Sequence, residues 1–217
     1  MSPIVVKQIP KSRVAGYIQC GSRKVPPEIY YHIRATGTEG VCPILDWYER
    51  RTSWVLVLKR NPHSIDLFEL SSKYGALGED AARIIIKQVV ETSIKLLNKR
   101  VFHRDLKDEN ILVDTRTLET QLIDFGCATY YHKDKCYDEL MGTPEFFPPE
   151  YYTTQNYKAQ TSTTWTVGVL MYILLVGDIP FESEKQIVSR TFKKVTQNFI
   201  IHHLKPSSTE HFSSFPF

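Results

Sequence analysis

An α+β fold is what the sequence predicts, from three observations: short β-branched runs early in the chain, one long amphipathic helical pattern in the middle, and one apolar helical pattern late. Residues 4–9 (IVVKQI) and 54–58 (WVLVL) read as strands, because brief runs of Val, Ile and Leu between polar segments favour extended pairing. Over 79–100 the residues Ala81, Ile85, Val89, Thr92 and Leu96 recur at helical spacing. Glu79 and Asp80 stand where the helix dipole favours acids, and Lys99 and Arg100 where it favours bases. A second helix is expected over 165–176, stopped by Gly177 and then by Pro180. Between the two, 102–149 is rich in Asp, Gly, Pro and Thr, with short strands expected at 111–113 and 121–123. The segment 206–217 (PSSTEHFSSFPF) reads as a disordered tail.

Composition narrows the class without naming a function. The chain has 217 residues, 42% of them hydrophobic and 24% charged, as in ordinary globular proteins. A net charge of +3 is too mild for a nucleic-acid surface, and no stripe of Lys and Arg interleaved with aromatics occurs. Cys20, Cys42, Cys127 and Cys136 show no zinc-type spacing and are expected as free thiols. The first ten residues lack the pattern of a signal peptide, and the longest apolar run, 167–176, is shorter than a bilayer span needs. The expectation is a monomer in the cytoplasm or nucleus, or both, without nucleic-acid or membrane partners.

The chemistry lies in linked motifs. His103-Arg104-Asp105-Leu106-Lys107-Asp108-Glu109-Asn110 fits the pattern H-R-D-x-x-x-x-N, and Asp124-Phe125-Gly126 begins 19 positions after Asp105. Phosphoryl transfer needs a carboxylate to orient the attacking hydroxyl, which suits Asp105. It also needs hard oxygen ligands for Mg²⁺, which suits Asn110 and Asp124. Gly142-Thr143-Pro144-Glu145-Phe146-Phe147-Pro148-Pro149-Glu150 follows, with P-P-E where A-P-E is usual at the end of an activation segment.

In order and spacing these motifs resemble the eukaryotic protein kinases, and Lys107 is the serine/threonine pattern. The resemblance implies an ATP-dependent serine/threonine kinase with a bilobal fold: a small β-rich N-lobe, incomplete here, over a helical C-lobe. It assigns 1–60 to the partial N-lobe and 61–205 to the partial C-lobe. Asp105 becomes the base, with Lys107 touching the transferred phosphate and Thr143 bracing the aspartate.

Closer strings resemble the Pim kinases: Lys24-Val25-Pro26-Pro27-Glu28, Leu45-Asp46-Trp47-Tyr48-Glu49-Arg50, Asp66-Leu67-Phe68-Glu69, the catalytic loop itself, and Gly177 to Glu182 (GDIPFE). V-A-I-K then falls on Ile4-Val5-Val6-Lys7. Lys7 is implied as the ligand of the ATP phosphates and Glu28 as its helix-borne partner. The adenine pocket is implied at Val5, Leu58, Leu112 and the hinge Lys59-Arg60-Asn61, where Pim kinases read E-R-P. Val5 stands for the customary alanine, and overpacking of that kind costs about 1–3 kcal/mol, so weaker nucleotide binding is expected. Asp66, Glu69, Asp108 and Glu109 match acidic positions of the Pim peptide groove, implying substrates basic upstream of the phosphorylated residue. Asp138 and Glu139 are expected to offer Arg104 a fixed negative charge in place of a phosphate.

Two departures from the family pattern set expectations of their own. Only six residues precede Lys7, with no glycine among them, so the glycine-rich loop is absent and activity of this sequence is expected to be weak. In complete kinases an arginine pairs with the glutamate at Glu150, but only Arg190 follows it here and is not taken as the substitute. The competing reading is a truncated pseudokinase serving as a binding or decoy module.

Overall fold

The structure, a computed structural model, describes residues 3–139 and 141–192, so the expected tail at 206–217 lies outside the described residues. Strand β1 (Ile4–Pro10) is followed by the hairpin strands β2 (Ile18–Cys20) and β3 (Arg23–Val25). Helix α1 (Pro27–Ala35) begins on a Pro-Pro pair, whose fixed backbone angle suits a first helical turn, and carries Glu28 where the helix dipole favours an acid. Strands β4 (Ile44–Glu49) and β5 (Ser53–Lys59) complete an antiparallel sheet of order β1-β5-β4. Val5 pairs with Leu58 and Lys7 with Leu56, so these four share one sheet face. Trp54, Leu56, Leu58, Val25 and Ile29 form the core beneath it.

Beyond Lys59 the chain becomes helical. Strand β6 (Ser64–Asp66) leads into α2 (Leu67–Tyr74), then α3 (Glu79–Asn98), β7 (Val101–Phe102), a 3₁₀ turn (Asp108–Asn110), β8 (Ile111–Asp114), β9 (Thr120–Leu122), β10 (Thr129–Tyr130) and β11 (Cys136–Tyr137). Helix α4 (Pro149–Thr154), β12 (Tyr157–Lys158), α5 (Ala159–Val176) and α6 (Glu184–Ser189) follow. Two ladders tie down the loop-rich middle: β7 with β10, and β11 with β12. The α3 residues Ala82, Ile85, Val89 and Leu96 pack with Val169, Leu170, Ile173 and Leu174 of α5 in one core.

The two helices expected from periodicity are present, with shifted ends. Helix α3 stops at Asn98 because Arg100 adopts a left-handed backbone (φ 61°). Helix α5 starts six residues earlier than expected, at Ala159, through a threonine-rich turn in which Thr164 Oγ1 donates to Gln160 O at 2.9 Å. It ends as expected at Gly177, whose left-handed φ of 77° lets its N–H reach Ile173 O at 2.7 Å. By length and composition alone, α5 is also apolar enough to cross a membrane, which the shorter run 167–176 did not suggest.

Asp66 caps a helix. Its Oδ1 accepts the Glu69 N–H at 2.7 Å, at the first turn of α2. Asp66→Ala should therefore cost about 1 kcal/mol of stability, while Asp66→Asn, which can still cap, should cost much less. Denaturant unfolding of the two variants checks this, and equal losses would contradict the capping role.

Candidate active site

The site assembles at the junction of the sheet and the helical part, and its first element is a shared ion cluster. Lys7 Nζ lies 2.6 Å from Glu28 Oε1 and 2.8 Å from Asp124 Oδ1. Burial opposes the Lys7 ammonium, but the two carboxylates more than offset it and raise its pKa. Burial likewise opposes the charge of Asp124, yet Lys7 and the Gly126 N–H hold its pKa below the usual carboxylate range. Glu28 is the exception, since burial outweighs Lys7 and pushes its pKa up. One ammonium divided between two carboxylates leaves Asp124 firmly ionised.

The second element is the catalytic loop. Asp105 is held from both sides: Thr143 Oγ1 donates to its Oδ1 at 2.9 Å, and Asn110 Nδ2 donates to its Oδ2 at 3.0 Å and to its carbonyl at 2.9 Å. Gly142 makes the Thr143 contact possible. Its φ is 111°, and a Cβ there would stand 2.5 Å from the Arg104 carbonyl. Lys107 pairs with Glu109 beside this loop. The Ile123 N–H donates to Asn110 O at 2.9 Å, which sets Asn110 next to Asp124. Arg104 (φ 67°) and Asp124 (φ 61°) both sit in left-handed backbone, which costs non-glycine residues of order 1–3 kcal/mol each and is typical of functional loops.

A buried aromatic stack connects the two elements. Phe125, fully buried, lies between His32 and His103 at ring separations of 4.7 and 5.0 Å. His103 Nε2 faces Ile123 O at 3.1 Å, while its Nδ1 accepts the Asp105 N–H at 3.3 Å. That pattern needs a neutral ring protonated at Nε2, in keeping with burial, which lowers its pKa. His32 bonds Cys42 O at 2.7 Å. No motif in the sequence singles out His32, although its place four residues after Glu28 puts both on one face of α1.

The other expected positions are placed as follows. Val5 is 41% exposed on the sheet face it shares with Lys7, Leu58 is buried, and Leu112 lies in β8 opposite Asp66 and Gln121. Lys59 and Arg60 are exposed, and Asn61 Nδ2 donates to Asp114 Oδ2 at 2.6 Å, bracing the hinge against β8. Among the four acids expected to meet substrate, Glu69 and Glu109 are exposed, Asp108 is buried beneath the loop, and Asp66 caps α2. Burial raises the pKa of Asp108.

In the activation segment, Arg104 is the anchor. Its guanidinium donates to Cys127 O at 2.6 Å and meets Glu139 Oε2 at 2.9 Å, and Tyr157 OH donates to Glu139 O at 3.0 Å. Glu139, not Asp138, provides the contact; Asp138 is exposed. The Arg104 side chain is 6% exposed and Glu139 is 71% exposed, so solvent screens the pair and its value lies well below that of a fully buried one. Hydrogen bonding and charge from Arg104 depress the Glu139 pKa. A depressed folded-state pKa contributes stability above the ordinary glutamate value of 4.5, lost as pH falls through the lower folded value. The segment should thus stay anchored across neutral pH. Glu139→Ala should lower kcat/KM about tenfold, a loss of about 1.4 kcal/mol, while phosphatase treatment of the parent protein changes little. A large phosphatase effect in a peptide-phosphorylation assay would contradict this.

Comparison with known proteins fits this geometry. The family model described as protein kinase domain matches residues 2–215. The chain belongs to the protein kinase domain family. It is 36% identical over 184 residues to the serine/threonine-protein kinase prk-2 of Caenorhabditis elegans, covering 85% of this chain and 42% of that protein. Against the serine/threonine-protein kinase pim-2 of Danio rerio it is 37% identical over 195 residues, covering 85% of this chain and 63% of the relative. The serine/threonine-protein kinase PSK2 of Saccharomyces cerevisiae is 31% identical over 194 residues, 85% of this chain and 17% of that protein. The kinase domain described here therefore spans less than two thirds of the length of these relatives, and its likeness to Pim-type kinases agrees with the strings noted in the sequence.

Proposed function

We propose that this chain transfers the γ-phosphate of ATP to serine or threonine hydroxyls of proteins, with a preference for basic residues upstream of the target. The observation that carries the reading is the convergence of Lys7, Glu28 and Asp124 on one side with Asp105, Asn110 and Thr143 on the other. Kinases use ATP with Mg²⁺, which neutralises the triphosphate. The donor set suits that ion: the Asn110 amide nitrogen is committed to Asp105, leaving its oxygen, and the Ile123 N–H bond to the Asn110 carbonyl ties it to the segment that carries the ionised Asp124. Lys7, made strongly cationic by its two neighbours, would bind the phosphates. Asp105, fixed by Thr143 and Asn110, would orient the substrate hydroxyl and accept its proton.

The serine/threonine assignment is supported by Lys107, two residues after Asp105, and by the activity for which the relatives are named. The basic preference is supported by exposed Glu69 on α2, since a surface of one sign attracts the opposite sign whatever the small net charge, while Glu109 is paired with Lys107. Free Cys20, Cys42, Cys127 and Cys136 fit a reducing cytoplasm or nucleus. An arginine-rich serine peptide should be phosphorylated at least about tenfold faster than an acidic counterpart at low salt, with the gap narrowing as salt screens the charges. Equal rates on the two peptides would remove the basic preference while leaving the reaction itself in place.

A further inference from the structure

We infer that Glu109 acts as a gate on Lys107: it holds the Lys107 ammonium in an ion pair, and a basic substrate residue that takes its place on Glu109 releases that ammonium to the transferred phosphate. The inference rests on the phosphoryl-transfer reading above, and it makes the basic preference a matter of turnover as well as of docking.

The geometry starts from the backbone. Lys107, in extended conformation, precedes the 3₁₀ turn Asp108–Asn110, and the Asn110 N–H closes that turn on the Lys107 carbonyl at 3.0 Å. Asn110 is fixed in its turn by the two bonds from its amide to Asp105. Lys107 and Glu109 thus leave a braced loop two residues apart, and their side chains meet in an ion pair. The partners differ in exposure, at 18% for the Lys107 side chain and 54% for that of Glu109. A base arriving from solvent therefore reaches Glu109 before it reaches Lys107. Burial opposes the Lys107 charge, but Glu109 and then Asp105 more than offset it and raise its pKa. The other acids of the loop are engaged elsewhere. Asp105 accepts from Thr143 on one oxygen and from Asn110 on the other, and buried Asp108 accepts the Glu109 N–H at 3.2 Å.

The tasks assigned to the two residues compete. An ammonium neutralised by Glu109 gives less of its charge to the transferred phosphate, and a carboxylate that holds Lys107 has less to offer a substrate base. A guanidinium on Glu109 resolves both at once: one charge-assisted pair replaces another, and the freed ammonium finds the phosphate, so no charge is stranded. A neutral residue at the same place leaves Lys107 divided between Glu109 and the phosphate. Because so exposed a pair is weak, the gate is shallow, about fivefold in turnover.

The test compares Glu109→Gln with the parent protein on two serine peptides that differ only upstream of the serine, where one carries arginine and the other glutamine. Glutamine at 109 keeps the shape of the side chain and removes the charge that holds Lys107. The expected result is a gain: kcat on the neutral peptide should rise about fivefold, while kcat on the arginine peptide changes little. A docking acid without a gate would give a loss on the arginine peptide and no gain on the neutral one, and that outcome would overturn the proposal. A second measurement needs no phosphoryl transfer. Acetylation of Lys107 by acetic anhydride is followed by mass spectrometry in the presence of the same two peptides with alanine in place of serine. In the parent protein the arginine peptide should raise the Lys107 rate about threefold over the neutral one, and Glu109→Gln should react fast with either. Equal rates with the two peptides in the parent protein would refute the exchange. A rate that follows the peptide in a protein that transfers no phosphate would support the exchange and remove the phosphoryl-transfer reading instead.

Discussion

Asp124→Ala should reduce phosphoryl transfer by at least about a hundredfold in kcat/KM while the protein still folds. Asp124 is where three constraints meet: Lys7 at 2.8 Å, the Gly126 N–H at 3.0 Å, and the adjacent Asn110 held through the Ile123 N–H. Removing its carboxylate takes away the main oxygen donor for the ion and lets Lys7 settle wholly on Glu28. Substrate positioning then loses both the charge and the geometry, and misplacement of about 1 Å can cost roughly a hundredfold by itself. The fold should survive because Phe125, buried between His32 and His103, anchors the segment independently of the carboxylate. Steady-state kinetics with circular dichroism checks both halves, and near-parental turnover in a folded Asp124→Ala protein would remove the role assigned to it.

Asp105→Asn should be equally damaging, by a different route. The carboxylate now accepts from Thr143 on one oxygen and from Asn110 on the other. An asparagine can keep the Asn110 bond through its oxygen and turn its amide toward the Thr143 hydroxyl, which can accept as well as donate. Local structure is thereby preserved. What disappears is the negative oxygen able to take a proton from a serine or threonine hydroxyl, and losses of about 10²–10⁴ are typical when such a group is removed. ATP binding should change little, so the loss should appear in kcat more than in KM for nucleotide. A variant that loses nucleotide affinity instead would place Asp105 in binding.

The candidate site residues of the loop were legible because the chemistry proposed for them is written in short, linked strings whose spacing is fixed by one loop. Asp105, Asn110 and Asp124 converge through backbone bonds within about twenty residues of sequence, so motif order was enough to find them. Lys7 and Glu28 needed the family resemblance, since a lysine on a strand and an acid in a first helical turn are ordinary features. Their ion pair at 2.6 Å depends on a sheet register and a helix placement that no local signal specifies. His32 was missed for the same reason, because its role exists only once Phe125 is packed beside it.

Fold reading failed where polar side chains hold structure together. The first turns of α5 are rich in threonine, a poor helix signal, and are held by tertiary contacts such as Gln160 with the Tyr131 hydroxyl. Asp66, matched by resemblance to an acid of the peptide groove, also caps α2 through one carboxylate oxygen, a role seen only once the helix start is fixed. Of the two activation-loop acids, Glu139 was singled out only by the ladder of β11 with β12, which sets it over Arg104 and Tyr157. The hairpin β2–β3 escaped notice because its strands are three residues each and carry little apolar alternation.

If the cluster of Lys7, Glu28 and Asp124 works together with Asp105 as a phosphoryl-transfer centre, the most direct measurement is of the transfer itself. The protein is incubated with Mg²⁺, γ-labelled ATP and an arginine-rich peptide containing one serine, one threonine and one tyrosine, and the label is located by mass spectrometry. The expected result is label on serine or threonine only, ADP formed in equal amount, and both abolished in Asp105→Asn. Tight binding of nucleotide without any transfer to the peptide, or transfer that Asp105→Asn leaves intact, would contradict it.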